Sequence, residues 1–168
     1  ESVEEAEVVA REVDRMLGTV WTNQQGETRP LEAADIMVVA PYNDQVNLIG
    51  RTLFDRGLGD VPVGTVDRFQ GQEAAVVFYT MTASSAAAAP RGVGFLFSQN
   101  RLNVAISRAR CLAFLVSTPN LFNVKAGSVS TMRLLANLCA FRHEANVAIS
   151  PAGVRAAGRD QSPSVRHG

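Results

Sequence analysis

The chain has 168 residues, of which 46% are hydrophobic and 19% are charged. This composition suits one globular domain with a buried core, and it excludes disorder of the whole chain. The 16 basic residues balance the 16 acidic residues, so there is no overall positive field to attract nucleic acid, and any such contact must come from a local patch.

The first predicted element is an amphipathic helix. Ser2 and Glu5 form a capping-box pattern, and apolar residues then recur at helical spacing until Gly18. The polar residues 22–29 predict a loop, because they lack periodicity and contain a glycine. The continuous apolar run 36–40 has the length and composition of a buried strand.

The next residues predict a βαβ unit. A second helix, capped by Asn43 or Asp44 and closed by Gly57, leads to a β-branched stretch at 61–66 that predicts another strand. A further strand is predicted at 75–82. Only a short link then joins these two strands, whereas a parallel crossover usually needs about a dozen residues. Either the link is unusually tight or one strand is misassigned.

The second half of the chain continues the alternation of helices and strands. Its predicted elements are a surface loop at 84–94, a helix at 100–109, a strand at 112–116 and a helix at 131–144. We therefore predict an α/β domain over residues 1–149, with helices on both faces of a mostly parallel sheet. Residues 150–168 are poor in large apolar groups and are predicted to be a disordered tail.

The cysteines and the apolar runs indicate the compartment. Cys111 and Cys139 lie far apart without metal-ligand spacing, so we expect two buried thiols, no metal site and a reducing cytoplasm. No apolar run approaches the ~18 residues of a membrane-spanning helix. A cytoplasmic protein without membrane contact is predicted.

The stretch GTVDRFQGQE, residues 64–73, is the first candidate site. It follows a predicted strand, where α/β domains place ligands. Gly71 allows a close approach of the backbone to a ligand, Thr65 offers a hydroxyl to a backbone phosphate, and Glu73 offers a carboxylate to a ribose hydroxyl. The alternative is a plain turn between strands with a solvated Glu73.

The stretch NRLNVAISRAR, residues 100–110, is the second candidate site. On a helix, its apolar residues share one face that can pack on the sheet. Arg101 and Arg108 then fall on one flank of that face, and Arg110 falls on the other. The alternative is an ordinary amphipathic helix with solvated arginines.

Together the two stretches resemble the superfamily 1 helicases of the Upf1-like and Dna2-like branch. In that branch the second RecA-like domain carries motifs of the form VDxFQGxE and RLNVAxSRAR. The segment VVAPYNDQV at 38–46 is similar to another family motif, TPYxxQ, and the resemblance covers residues 36–121. It implies a RecA-like sheet, with ATP and Mg²⁺ bound in the cleft between two such domains.

The resemblance also implies roles for individual residues. Arg108 would be the catalytic arginine finger. The residues implied to bind ATP are Gln70, Gly71, Glu73 and Arg108. The residues implied to face single-stranded DNA or RNA, or the groove between the domains, are Pro41, Tyr42, Gln45 and Thr65. Arg68 stands where the family commonly has a small residue, which leaves its role open.

Some family features are missing. The only lysine, Lys125, has no GxxxxGK[ST] frame around it, and a phosphate-cradling loop needs both. We therefore expect the second half of a split ATPase site, inactive alone. The chain starts at Glu1 without a methionine, which predicts a partner motor domain upstream in the same polypeptide. Residues 132–141 loosely resemble the end of bacterial proteins that join a RecB-like nuclease to such a helicase, so a nuclease domain is a further expected partner.

The leading functional hypothesis is the C-terminal motor domain of an ATP-dependent helicase or translocase. Its rival is a non-catalytic RecA-like module that binds nucleic acid or protein. A weaker rival is a small-molecule enzyme, which the lack of a plausible pair of nucleophile and base disfavours.

Overall fold

The computed structural model describes residues 1–82, 99–118 and 129–144. Its helices are α1 (Val3–Met16), α2 (Asn43–Asp55), α3 (Gln99–Ile106) and α4 (Val129–Glu144). Its strands are β1 (Val20–Thr22), β2 (Thr28–Pro30), β3 (Ile36–Val39), β4 (Val63–Gly64), β5 (Ala74–Thr80) and β6 (Ala109–Val116). The predictions for residues 84–94 and 150–168 lie outside the described residues.

Helix α1 begins as the capping pattern predicts, but only half of the capping box forms. The Ser2 hydroxyl accepts a hydrogen bond from the Glu5 backbone N–H at 3.3 Å, which satisfies one free donor of the first turn. The Glu5 carboxylate does not return to Ser2 and instead contacts the end of β5. The helix closes before Gly18, whose φ of 77° is favoured by glycine.

Strands β3 to β6 form one four-stranded sheet in the order β4-β3-β5-β6. Each neighbouring pair is parallel. Every residue of β3 and β5 is buried, as expected for the interior strands of a parallel sheet that is covered on both faces. This arrangement confirms the predicted α/β fold, a parallel sheet flanked by helices.

The core lies where α1 and α2 pack against each other and against the sheet. It is built from the apolar face of α1, two side chains of α2 and alternate residues of the strands. The fully or almost fully buried members include Ala6, Val9, Val13, Ile36, Val38, Ile49, Leu53 and Phe78. The Phe78 ring stacks on the Phe114 ring of β6 at a centroid distance of 4.6 Å. Helix α3 contacts β5 and β6, and its Ala105 is buried.

The sheet order explains the short link between β4 and β5. These strands do not neighbour each other, because each pairs with a different side of β3. Strand β4 is also shorter than the predicted 61–66. Residues 65–73 are therefore available to carry the chain back across the sheet. The predicted strand at 61–66 was too long. The link from β4 to β5 is a short crossover, as one of the two alternatives expected.

Three local predictions are corrected. Residues 22–29 are not a plain loop, since β1 and β2 pair as an antiparallel hairpin around the Asn23 side chain, whose Oδ1 accepts from two backbone N–H groups. Asn43 is the first residue of α2, and Tyr42 is its N-cap without a side-chain hydrogen bond. Cys111 and Cys139 are both exposed. Cys111 is exposed because the amino-terminal half of β6, an edge strand, is open to solvent.

None of the helices in the described ranges combines the length and the apolar composition needed to cross a lipid bilayer.

Candidate nucleotide and nucleic-acid sites

The two motifs that carry the nucleotide prediction meet at the amino ends of β5 and β6. Ala74 and Ala109 lie opposite each other in the sheet, and the Ala74 N–H donates to the Arg108 carbonyl oxygen at 3.0 Å. The residues just before these strands are consequently neighbours. We call this border of the sheet the amino edge.

Arg108 lies in the turn between α3 and β6. Helix α3 ends at Ile106, the Arg108 N–H donates to the Ala105 carbonyl at 3.2 Å, and β6 starts directly afterwards. The predicted helix to residue 109 was too long, and Arg108 and Arg110 do not lie on the flanks of a helix as predicted. Pairing of the chain with β5 ends the helix early and sets Arg108 at the amino edge.

The Arg108 guanidinium is incompletely satisfied. Its Nε is buried and has no hydrogen-bond partner among the described residues. A buried donor without an acceptor costs free energy, and the cost is larger for a charged group.

Glu73 and Arg110 form an ion pair beside Arg108. The Arg110 Nε lies 2.9 Å from Glu73 Oε2, and both side chains are about half exposed, at 52% and 49%. This ion pair was not predicted from the sequence. The signal was present, because opposite charges next to the starts of two adjacent parallel strands come to the same border of the sheet.

Gly71 and Gln70 lie on the exposed part of the turn before β5. Gly71 has a φ of 80° and no atom within 4 Å of the position that a Cβ would occupy. The glycine is thus required by the backbone conformation, and the space in front of it is open. Gln70, Gly71, Glu73 and Arg108 all lie at the amino edge.

The residues predicted to face nucleic acid lie at the opposite border, which we call the carboxyl edge. Tyr42 follows β3 and Thr65 follows β4, and these strands pair through the Ala40 N–H and the Gly64 carbonyl at 3.0 Å. Both side chains are half-buried. Strand β5, which separates the two edges, has seven residues and spans roughly 20 Å at ~3.3 Å per residue.

Pro41 and Gln45 lie beneath the carboxyl edge. Pro41 is buried, and Gln45 has no exposed surface. The Gln45 Oε1 accepts from the Ser2 N–H at 2.7 Å, and its Nε2 donates to the Ser2 carbonyl at 2.9 Å. Gln45 therefore joins the first turn of α2 to the start of α1 and reaches no ligand surface.

Arg68, whose role the sequence left open, covers the outer side of β4. Its Nη1 donates to the Val63 carbonyl at 3.0 Å. A Cβ on Gly64 would lie 2.5 Å from the Arg68 Cδ and 3.0 Å from the buried Phe69 ring. Glycine at position 64 allows both side chains to fold back over the strand.

Glu5 was missed as a candidate. Its carboxylate accepts from the Thr82 N–H at 2.9 Å and is 2% exposed. Burial raises the pKa of Glu5 from 4.5 to about 7, although the hydrogen bond from Thr82 opposes the rise. A sequence signal existed, because Glu5 shares the apolar face of α1 with Val9 and Val13 at four-residue spacing.

Within residues 1–82, 99–118 and 129–144, no three His, Cys, Asp or Glu side chains come together in a way that could hold a metal ion.

The four-stranded parallel sheet and its flanking helices are consistent with a RecA-like α/β domain. A family model described as "AAA domain" matches residues 1–120. Because the match covers more than two thirds of the chain, the chain belongs to that family. It extends to residue 1, whereas the resemblance read from the motifs started at residue 36.

Several proteins similar to this chain are named as helicases. Over 80 residues, 48% of this chain, the sequence is 45% identical to "DNA polymerase alpha-associated DNA helicase A" of Schizosaccharomyces pombe and 40% identical to "DNA-binding protein SMUBP-2" of Rattus norvegicus. It is 36% identical to "RNA helicase Mov10l1" of Homo sapiens over 93 residues, 54% of this chain. The chain is thus a domain of the superfamily 1 helicases. It covers only 12%, 8% and 8% of these three relatives.

Proposed function

We propose that the chain is the C-terminal motor domain of an ATP-dependent helicase or translocase that moves on single-stranded nucleic acid. The observation that carries the proposal is the place of Arg108 at the amino edge, where its buried Nε has no hydrogen-bond partner among the residues that the structure describes. In this proposal ATP and Mg²⁺ bind between the amino edge and a second RecA-like domain. That second domain supplies the phosphate-binding loop, which this chain lacks.

At the amino edge, Arg108 would act as the arginine finger. A guanidinium at this place neutralises charge that spreads over the phosphoryl oxygens in the transition state. Glu73 would accept from a ribose hydroxyl, and Gln70 and the Gly71 backbone would contact the phosphates. Glu73 now pairs with Arg110, so the carboxylate is held in place before the nucleotide arrives.

At the carboxyl edge, Tyr42 and Thr65 would contact the strand. Thr65 would supply a hydroxyl group, and hydroxyl and backbone N–H groups are common partners of nucleic-acid phosphates. The Tyr42 hydroxyl is buried, so Tyr42 would contribute only the exposed part of its half-buried side chain. Pro41 and Gln45 are buried, so they would not contact the strand directly. In this proposal they hold the backbone of the carboxyl edge in position.

The link at residues 65–73 would couple the two edges. It starts at Thr65 on the carboxyl edge and ends at Glu73 on the amino edge, with the buried Phe69 fixed between them. A strand that shifts Thr65 would therefore move the chain that carries Gly71 and Glu73. Closure of the cleft on ATP would complete the site, and reopening after hydrolysis would advance the strand.

Names of the relatives favour this reading, since the proteins from S. pombe and human are described as a DNA helicase and an RNA helicase. A nuclease domain elsewhere in the polypeptide stays a prediction, as does a cytoplasmic location.

The test is strand-stimulated ATP hydrolysis by the full-length protein, measured with single-stranded DNA and with single-stranded RNA. Arg108→Ala should lower kcat by about 10³-fold or more while nucleotide binding is retained. The control is Arg51→Ala, because Arg51 is an exposed arginine of α2 whose Nε donates to the Asn47 carbonyl of the same helix. Equal turnover in wild type and Arg108→Ala would refute the finger role. No turnover in wild type with either strand would favour a non-catalytic binding module.

A further inference from the structure

The first turn of α1 lies between the ends of β3 and β5. On one side, Ser2 is fixed by the two hydrogen bonds to Gln45 in the first turn of α2. On the other side, Glu5 reaches Thr82, just after β5. Ser2, Glu5, Gln45 and Thr82 are all buried. These four residues form a polar cluster beneath the carboxyl edge.

Thr82 has an unusual backbone conformation. Its φ is 59°, and among the described residues it is the only non-glycine with a positive φ. A β-branched residue in this region is strained, and such strain persists only where surrounding contacts impose it. Within the described part of the chain, the Thr82 N–H donates to the Glu5 carboxylate at 2.9 Å, and the Thr80 hydroxyl lies 3.2 Å from the Thr82 hydroxyl.

Burial of the polar cluster lowers the free energy of unfolding. One Glu5 oxygen, Oε1, is buried without a hydrogen-bond partner among the described residues. Burial raises the pKa of Glu5, the nearby charged side chain of Glu4 raises it further, and the backbone hydrogen bonds of Thr82 and Met81 only partly offset the effect of burial. An apolar side chain at position 5 would avoid the cost of burying a carboxyl group. The combination of a buried acid and a strained turn at one place is typical of positions kept for function.

We propose that Glu5 is a positioning residue for the nucleic-acid site: it holds the end of β5 in its strained turn and, with Gln45, fixes the carboxyl edge that receives the phosphate backbone of a single strand. This inference rests on the proposed function. Glu5 itself does not touch the strand, since it is buried. It acts through the backbone of Thr82, while Gln45 acts through the turn that begins at Tyr42.

Two substitutions at position 5 separate the acceptor from the charge. Glu5→Gln keeps an oxygen that can accept from the Thr82 N–H, whereas Glu5→Ala removes it. Glu7→Gln is the matched control on the same helix, because Glu7 is half exposed and pairs with Arg56 on the surface. Each variant is made in the full-length protein, and its folding is checked by circular dichroism.

Four quantities are measured: the affinity for a single strand, the KM for the strand and the kcat in ATP hydrolysis, and the hydrogen exchange of the peptide that contains Thr82. Glu5→Ala should weaken affinity and raise KM about tenfold, which corresponds to about 1.4 kcal/mol. Its kcat at saturating strand should stay within about twofold, and the Thr82 peptide should exchange faster. Glu5→Gln and Glu7→Gln should resemble wild type. If Glu5→Ala does not fold, Glu5→Asp replaces it, because the shorter side chain moves the acceptor away from the Thr82 N–H. A tenfold loss of strand affinity is expected for that variant too.

The outcomes are distinguishable. If wild type binds and responds to a strand but the variants that displace the acceptor bind equally well, the positioning role is refuted while the motor function stands. If Glu5→Gln loses affinity as much as Glu5→Ala, the charge and not the acceptor is responsible, and the inference is again wrong. If wild type shows no response to any strand, the proposed function itself fails.

Discussion

Replacing Glu5 with glutamine is expected to flatten the dependence of folding stability on pH. The pKa of the carboxyl rises from 4.5, the value of an exposed glutamate, to about 7 in the folded chain. Since one pKa unit corresponds to about 1.4 kcal/mol, ionised Glu5 lowers the free energy of unfolding by about 3 kcal/mol. A raised pKa means that the folded state binds the proton more tightly. The stability that the bound proton contributes is therefore fully present below pH 4.5 and is lost as the pH rises through about 7.

Glutamine imitates the protonated acid and does not titrate. At about pH 8 the Glu5→Gln chain should be more stable than wild type by up to about 3 kcal/mol, and at acidic pH the difference should disappear. Urea unfolding of the 168-residue chain measures this at several pH values. Trp21 is the only tryptophan, and its ring lies 5.3 Å below the Arg29 guanidinium, so its fluorescence reports unfolding.

Glu7→Gln provides the comparison for this prediction. It removes an exposed carboxylate of the same helix and should change stability by no more than about 1 kcal/mol, without altering the slope against pH. Parallel stability curves for wild type and Glu5→Gln between about pH 5 and pH 8 would show that the buried carboxyl is not the titrating group.

Further expectations concern glycines and thiols. Gly64→Ala should lower the free energy of unfolding by about 1–3 kcal/mol, because the new Cβ would lie 2.5 Å from the Arg68 Cδ. Gly50→Ala in α2, where no atom lies within 4 Å of the new Cβ, should raise the free energy of unfolding by about 0.5–1 kcal/mol. Urea unfolding measures both variants. Changes of the same sign would show that the space around the two glycines does not differ as described. Cys111 and Cys139 are exposed, so a thiol reagent should label both in the native chain. Labelling that needs denaturant would contradict the exposure.

The elements with local signals were predictable from the sequence. Strand β3 is a continuous apolar run, and α1 carries a cap, a periodic apolar face and a closing glycine. The hairpin β1–β2 was missed because its three-residue strands are mostly exposed and show no alternation of apolar and polar residues. Its turn chemistry around Asn23 was the available signal.

The sites were only partly predictable for a related reason. Spacing on a helix cannot reveal that β5 captures the chain at Arg108 and ends α3 two residues earlier, at Ile106. Likewise, the Glu5 contact with Thr82 joins residues far apart in the sequence, so only the fold brings them together. The assignment of Gln45 to a buried bond with Ser2 depends on the same packing.

The outer side of β4 is poorly suited to pairing with a strand of another protein. The Pro62 and Gly64 carbonyls bond to β3, which leaves the Val63 carbonyl on the outer side, where Arg68 donates to it. Exposed strand edges invite pairing with foreign strands, and short, charged edges prevent it. Strand β4 has only two residues, and Arg68 already occupies its free carbonyl. A strand of another chain would therefore find almost no backbone groups on β4 to pair with, which disfavours aggregation through this side of the sheet.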